Sequence, residues 1–346
     1  MPKSHVTIPV FLPNRGCPRR CVFCDQGASG GADKPSTPEE ARVKIAAYLE
    51  TMDPSVPRVE AAFFGGNFTG LPRAEQESYL AAVRPFLAAG RVHGIRVSTR
   101  PDCIDMDAVE FLAGHGVDTV ELGVQSLSDT VLAAAHRDHT AEDVFRAVDI
   151  LKAAGIPVIL QLMAGLPGDS RETCLASARE AAALRPAGAR IFPAVVLRGT
   201  ELERIYRAGG YVPLTLEEAV DTCAAMYDIF DKYGVPVIRT GLHPLRDAAT
   251  QVTAGPYHTA FGFLVKSRVR RRVMETVLEE FIAKAGGPVR EAVLIIPRGN
   301  SEEYIGHGRE NISYLKDAFQ PGVLRVETGD VALPAVRFIS AGKSSL

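Results

Sequence analysis

Seven short runs rich in Val, Ile or Phe, separated by longer stretches of helical pattern, restrict this chain to a narrow set of folds. The runs fall at residues 5–12, 59–66, 94–100, 119–125, 157–165, 189–196 and 236–242, with helix-like segments at 38–51, 74–89, 105–115, 141–154 and 170–184. Strands apolar on both faces that alternate with helices predict an α/β fold of parallel units, closing into a partial or full TIM-like β/α barrel. The 346 residues, 46% of them hydrophobic, suffice for one domain of barrel size and a smaller appendage. Near residue 245 the pattern changes. A turn-rich stretch with Gly255 and Pro256 leads to a helical segment in which Val265, Val269, Val273, Val277 and Phe281 recur every four residues, followed by strand candidates at 291–297, 323–327 and 335–339. The expected division is a β/α barrel over residues 1–245 and a small C-terminal α/β appendage over 246–346.

In a barrel of parallel units, the loops that carry chemistry gather at the C-terminal ends of the strands. Five consecutive units end there on unusual wording: GCPRRCVFC, FFGGNFTG, STRPD, ELGVQS and QLMAGLPGD. The first holds Cys17, Cys21 and Cys24, spaced so that three thiolates can converge on one small iron–sulfur site. Three thiolates on a four-iron cluster leave one iron open, and an open position separates a catalytic metal site from a closed structural one. The competing reading is a structural zinc site completed by a histidine such as His5, although the paired knuckles of such sites are missing. Cys103, Cys174 and Cys223 are scattered, as buried small hydrophobes would be. Gly65 and Gly66, followed by Asn67, end the second run where the backbone either turns or lets a ligand approach closely. Ser98, Arg100, Gln125, Arg137 and Gln161 supply polar groups at successive rim positions, where each either meets a ligand or satisfies its own loop. Glu121 is flanked by apolar residues and, once buried, requires an arginine such as Arg100 or Arg190.

The CxxxCxxC wording of Cys17, Cys21 and Cys24 resembles the signature loop of radical S-adenosylmethionine enzymes. The resemblance implies a [4Fe–4S] cluster on these cysteines and S-adenosylmethionine chelated to the open iron through its amino and carboxylate groups. It also implies reductive cleavage to a 5′-deoxyadenosyl radical that abstracts hydrogen from a substrate. It puts Phe23 near the adenine and assigns Gly65 and Gly66, through backbone polar atoms, to the cofactor's amino group, with Asn67 in the same cofactor-binding segment and the role of its side chain open. Likeness to the oxygen-independent coproporphyrinogen oxidase type assigns Ser98, Gln125, Arg137 and Gln161 to its ribose and carboxylate, with Arg100 on the same rim. A reductant such as flavodoxin or ferredoxin is the implied partner. More narrowly, PNRGCPRRCVFCDQ, FFGGNFTGLP, VSTRPD, ELGVQSL, RDHT, GLPGD, RIFPAVVLRGTEL and YVPLTLEEAV resemble the radical domain of the elongator complex catalytic subunit and its bacterial relatives, over residues 5 to 245. Those proteins modify the wobble uridine of transfer RNA and carry an acetyltransferase module after the radical domain, a module this chain is expected to lack. Asp138 stands where the relatives usually carry Gly, and Phe192 where many carry Tyr, departures that bear on the substrate pocket. The expected function is a radical enzyme whose substrate, by resemblance, is transfer RNA. The alternatives are a catalyst of the coproporphyrinogen type acting on a small molecule, and a non-catalytic iron–sulfur or zinc protein.

A net charge of −2 provides no global field for nucleic acid or an anionic membrane. No stretch approaches eighteen uninterrupted apolar residues, so no membrane partner and a cytosolic location are expected. Lys266, Arg268, Arg270, Arg271 and Arg272 form the strongest basic cluster, read either as the solvated face of a helix or as an RNA contact. The polar segment RGNSEEYIGHGRENISYL either closes over the barrel mouth or forms a surface helix.

Overall fold

The computed structural model describes residues 5–27, 34–245, 247–285, 291–319 and 323–338. All seven expected strands are present. In chain order β1 (His5–Phe11), β2 (Arg58–Phe64), β3 (Gly94–Thr99), β4 (Val117–Gln125), β5 (Val158–Ala164) and β6 (Gly188–Pro193) lie side by side. The chain then leaves the sheet through β7 (Val196–Leu197), and β8 (Val237–Thr240) returns to complete it beside β6. Every pairing in this sheet is parallel, and β1 does not pair with β8, so the sheet is an open, curled half-barrel.

Of the intervening helices, Pro38–Thr51, Met106–Gly114, Ala141–Ala153 and Arg171–Ala183 begin at side-chain caps, whereas Arg73–Ala88 starts after Pro72 without one. Thr37 with Glu40, and Thr140 with Asp143, form reciprocal capping boxes that satisfy otherwise orphaned amides. On the outer face of the strands Ile8, Val10, Ala61, Phe63, Val97, Leu122, Leu160 and Ile191 are buried with helix residues such as Ile45, Leu80, Leu112, Val148 and Ala178. The inner face departs from the expectation of strands apolar on both sides. Buried Glu60, Arg96 and Glu121, with Ser98, Gln161 and Arg190, alternate with the outward apolar residues. A half-barrel whose lumen is a ligand cavity tolerates charges that a packed lumen would exclude, provided they pair.

The chain forms two compact units, Met1–Thr259 and Ala260–Leu346. The expected boundary at residue 245 falls short of this division because β9 (Val252–Ala254) pairs antiparallel with β7, and Leu242, Leu245, Val252 and Tyr257 pack around Val195 and Leu197. A ribbon this short has no periodic signature. The second unit contains the helix Phe261–Ala285 and a sheet in which β10 (Glu291–Pro297) lies between parallel β11 (Val323–Gly329) and antiparallel β12 (Ala335–Phe338). Ile339 lies outside the described residues. Val265 and Val269 are buried as the four-residue repeat predicts; the stripe then passes to Met274 and Leu278 in place of Val273 and Val277, and Phe281 packs partly buried against them. A period of four drifts around a helix of 3.6 residues per turn. In the polar segment after β10, Tyr304 and Leu315 belong to this unit's core, and Asn311 donates to the carbonyl and hydroxyl of Ser267.

Candidate active site

At the C-terminal ends of the strands the inner face opens into a cavity of about 260 Å³. Cys17, Cys21 and Cys24 line it together with Phe23, Gly65, Gly66, Ser98, Arg100, Gln125, Arg137 and Gln161. Of the residues placed at the cluster or its cofactor from the sequence, Asn67 alone does not reach this wall. Its buried side chain is saturated instead: Nδ2 donates to the Gly16 carbonyl (3.0 Å) and Cys103 Sγ (3.2 Å), and Oδ1 accepts from Thr99 Oγ1 (2.6 Å) and the Arg100 amide (3.1 Å). Asn67 therefore ties the cysteine loop to the end of β3.

The loop after β1 is held from several sides. Gly16 has a positive φ of 70°, and a Cβ there would sit 2.1 Å from the Asn67 carbonyl oxygen. At Gly66 a Cβ would come within 2.3 Å of the Arg15 carbonyl oxygen, so this glycine seats the cysteine loop. Gln26 Oε1 accepts from the amides of Asn14 (2.5 Å) and Gly66 (2.7 Å), clamping both glycine-rich turns. Val22 is fully buried against Val131, Met163, Leu166 and Leu202, with Phe23 packed beside them, and its backbone bonds Ala135 and Leu202. Gln26 and Val22 were missed in the sequence because neither residue type signals a site; only the pairing of distant segments gives them these roles.

Burial and then the Cys21 thiol raise the pKa of Cys17, and Cys24 is pushed up to about 12 by burial, Cys21 and Cys17. All three thiols belong to one short loop and line the same cavity. Thiols so raised ionise readily only when a metal replaces the proton. Arg137 supplies a cation beside them: Nη1 donates to Cys21 Sγ (3.3 Å), Nη2 donates to the Gly123 carbonyl, and Nε is buried without a partner. Ser98 Oγ is likewise buried and unpartnered. Gln125 sits at a β4 irregularity with a positive φ of 69°, and its Oε1 accepts from Gln161 Nε2 (3.5 Å). Strained backbone of this sort is typical of sites that over-determine one residue's direction. Arg100 grips Asp102 with Nε (2.9 Å) and Nη2 (2.8 Å) and so is not the partner of Glu121. That partner is Arg190, at 2.8 Å, with Arg96 at 3.9 Å.

These donors suit a cluster ligated by three thiolates and a polar second ligand, since Ser98 Oγ and Arg137 Nε are buried atoms without partners on the same wall. The zinc alternative loses its fourth ligand. His5 begins β1 and pairs with Glu60 (3.6 Å), about 20 Å of strand away from the cysteine loop. Among the described residues no group of three His, Cys, Asp or Glu side chains has the geometry to hold a single metal ion. Cys174 and Cys223 are buried as expected, whereas Cys103 is half-buried beside the cysteine loop, bonded to Asn67. No described helix is long and apolar enough to cross a membrane.

Residues 11–181 match the profile of the radical SAM superfamily, and residues 186–271 match the radical SAM C-terminal domain. A tRNA uridine(34) acetyltransferase of Dehalococcoides mccartyi is 28% identical over 230 residues, covering 57% of this chain and 50% of that protein. An uncharacterized protein of Methanocaldococcus jannaschii is 30% identical over 222 residues, covering 61% of this chain and 67% of that one. Elongator complex protein 3 of Schizosaccharomyces pombe is 28% identical over 207 residues, covering 54% and 38%. The chain spans half or less of the tRNA uridine(34) acetyltransferases it matches. The solved structure of Methanocaldococcus infernus Elp3 lacking its N-terminus shares the fold, with a TM-score of 0.60 at 22% identity over 83% of this chain and 65% of that one. With strand order, cysteine loop and matched profiles in agreement, the chain belongs to the radical S-adenosylmethionine superfamily, enzymes that bind a [4Fe–4S] cluster and S-adenosylmethionine.

Proposed function

We propose that this enzyme binds a [4Fe–4S] cluster through Cys17, Cys21 and Cys24 and S-adenosylmethionine on the adjoining rim, to abstract hydrogen from a second substrate in the same cavity. The observation that carries this reading is that the three thiols, the glycine pair and the polar strand ends all line one cavity. When bound, the cluster and S-adenosylmethionine supply a low-potential electron and a 5′-deoxyadenosyl radical. The protein's residues position and exclude. Arg137, donating to Cys21 Sγ, balances thiolate charge, and its free Nε and Ser98 Oγ offer donors to the nucleotide's carboxylate or ribose. Gln125 and Gln161, joined side chain to side chain, present further polar groups to the ribose. Phe23, held by the Val22 anchor, provides a flat apolar face for adenine. Gly65 and Gly66 leave open backbone for the amino group, but the Gly66 amide is taken by Gln26, so this role falls to carbonyl oxygens. Asn67 and Arg100 serve as positioning residues behind the wall.

Transfer RNA is the substrate this proposal favours, supported by the curated relatives that are tRNA uridine(34) acetyltransferases. An electron donor of the flavodoxin or ferredoxin kind and a cytosolic setting complete it. The decisive experiment is anaerobic reconstitution. The expected result is a brown protein with about four irons per chain that releases 5′-deoxyadenosine when reduced with S-adenosylmethionine, both lost in Cys24→Ala. Iron-free protein after reconstitution, or deoxyadenosine release unchanged in that variant, refutes the assignment. Comparing transfer RNA modifications between cells with wild-type protein and cells with Cys24→Ala tests the substrate.

A further inference from the structure

We propose that the inner face of β6 and β8 forms an oxyanion subsite for the second substrate, with the guanidiniums of Arg190 and Arg239 as donors and His243 at its edge. The inference rests on reading the cavity as a site for two ligands, and it names the chemical class of the second as a molecule bearing a carboxylate or phosphate. The inner face carries a chain of charges that alternates in sign. Glu60 on β2 meets Arg96 on β3 at 2.7 Å, Arg96 lies 3.9 Å from Glu121 on β4, and Glu121 meets Arg190 on β6 at 2.8 Å.

The alternation then breaks. Arg239 stands beside Arg190 in the β6–β8 register, where another carboxylate would continue the series. Its Nε donates to the Gly241 carbonyl at 3.2 Å, and among the described residues no carboxylate pairs with it. Two carboxylates thus serve three guanidiniums, and like charges side by side on neighbouring strands repel. Burial and the neighbouring Arg190 lower the pKa of Arg239, with no acid raising it. Partial burial, Arg239 and Arg190 in the same way hold His243 below the ordinary histidine range. Arg190 itself keeps a buried Nε with no partner while its guanidinium lies 5.1 Å over the Phe64 ring. Arg190 and His243 line the cavity and Arg239 stands in register beside Arg190, so the excess positive charge lies next to the ligand space. An excess cation held by the fold directly behind a cavity-lining arginine is completed by an anion that arrives with a ligand. A guanidinium fork matches both carboxylate and phosphate, whichever the substrate carries.

The test is titration of the full, anaerobically reconstituted chain with inorganic phosphate and, separately, with acetate at constant ionic strength, following the thermal midpoint. Wild-type protein is expected to show a saturable rise with at least one anion, and the tighter of the two identifies the class. Arg239→Gln is expected to weaken that response by about tenfold, the loss of one charge-assisted contact. Arg239→Lys, which keeps the charge, restores part of it. Arg146→Gln, which removes an exposed cation paired to Asp143, leaves it unchanged. No saturable response in wild type to either anion, or an Arg239→Gln curve within about twofold of wild type, overturns the subsite. Release of 5′-deoxyadenosine in the same preparations reports separately on the cluster assignment, so either idea can fail alone.

Discussion

The side chain of Asn67 uses both its donors and its acceptor oxygen within the protein, which makes it a staple rather than a ligand group. Its position directly after the glycine pair left the role of this side chain open in sequence; the approach of the β3 end and of Cys103 gives it one. His139 in RDHT illustrates the same point for titration. Burial first, then the Arg137 charge, lowers its pKa to about 3, although its ring bonds the Val124 carbonyl. A histidine depressed this far stays neutral in the folded state while the unfolded chain takes up a proton below about 6.5. The His139 contribution to stability is therefore constant above pH 6.5, falls as the pH drops from there toward about 3, and is flat below. Urea unfolding of metal-free protein should show this loss at about 1.4 kcal/mol per pH unit from His139. His139→Gln should cut the slope between pH 6.5 and 5 by about half, His243 supplying the remainder; equal slopes in the two proteins would exclude His139 as a source.

At the scale of elements, parallel register turns single residues into rows across the sheet. Ser98 on β3 stands opposite Glu121 on β4, and Gln161 on β5 opposite Arg190 on β6, so the charged chain is a property of strand order. Glu121 is the middle link, with its Oε2 buried and lacking a hydrogen bond. Removing it leaves Arg190 and Arg96 without their shared carboxylate, and Glu121→Ala is expected to lose about 3–5 kcal/mol in urea unfolding. A change under about 1 kcal/mol would mean that solvent already screens the pair. The sequence allowed Arg100 or Arg190 as the partner of Glu121, because residue type specifies a need for charge but not which strand meets it. The cysteine loop shows the complementary case. Its thiols were legible from spacing, while its anchor at Val22 depends on the helix Asp129–Ala134 and on Leu202, far along the chain.

At the scale of the whole molecule, the basic cluster on the helix Phe261–Ala285 is largely engaged within the second unit. Lys266 and Arg270 both pair with Glu303, Arg270 lies over the Tyr304 ring, Arg271 pairs with Glu275 and lies over Tyr314, and Arg268 is buried. Arg270→Gln is accordingly expected to destabilise this unit by about 1 kcal/mol. Hydrogen exchange would register it as an increase of roughly fivefold in the β10 amides, and unchanged exchange would argue that Arg270 is free for another partner. By itself the sequence determined the seven strands, most of their helices, the cysteine trio and the rim on which the polar residues fall, because periodicity, capping and ligand spacing are local properties of the chain. Tertiary structure alone decided the open edge between β1 and β8, the capture of residues 252–254 by the first unit and the pairing of Glu121 with Arg190. It also decided the uncompensated charge of Arg239. Each of these depends on which distant segments become neighbours, and packing, not local pattern, selects them.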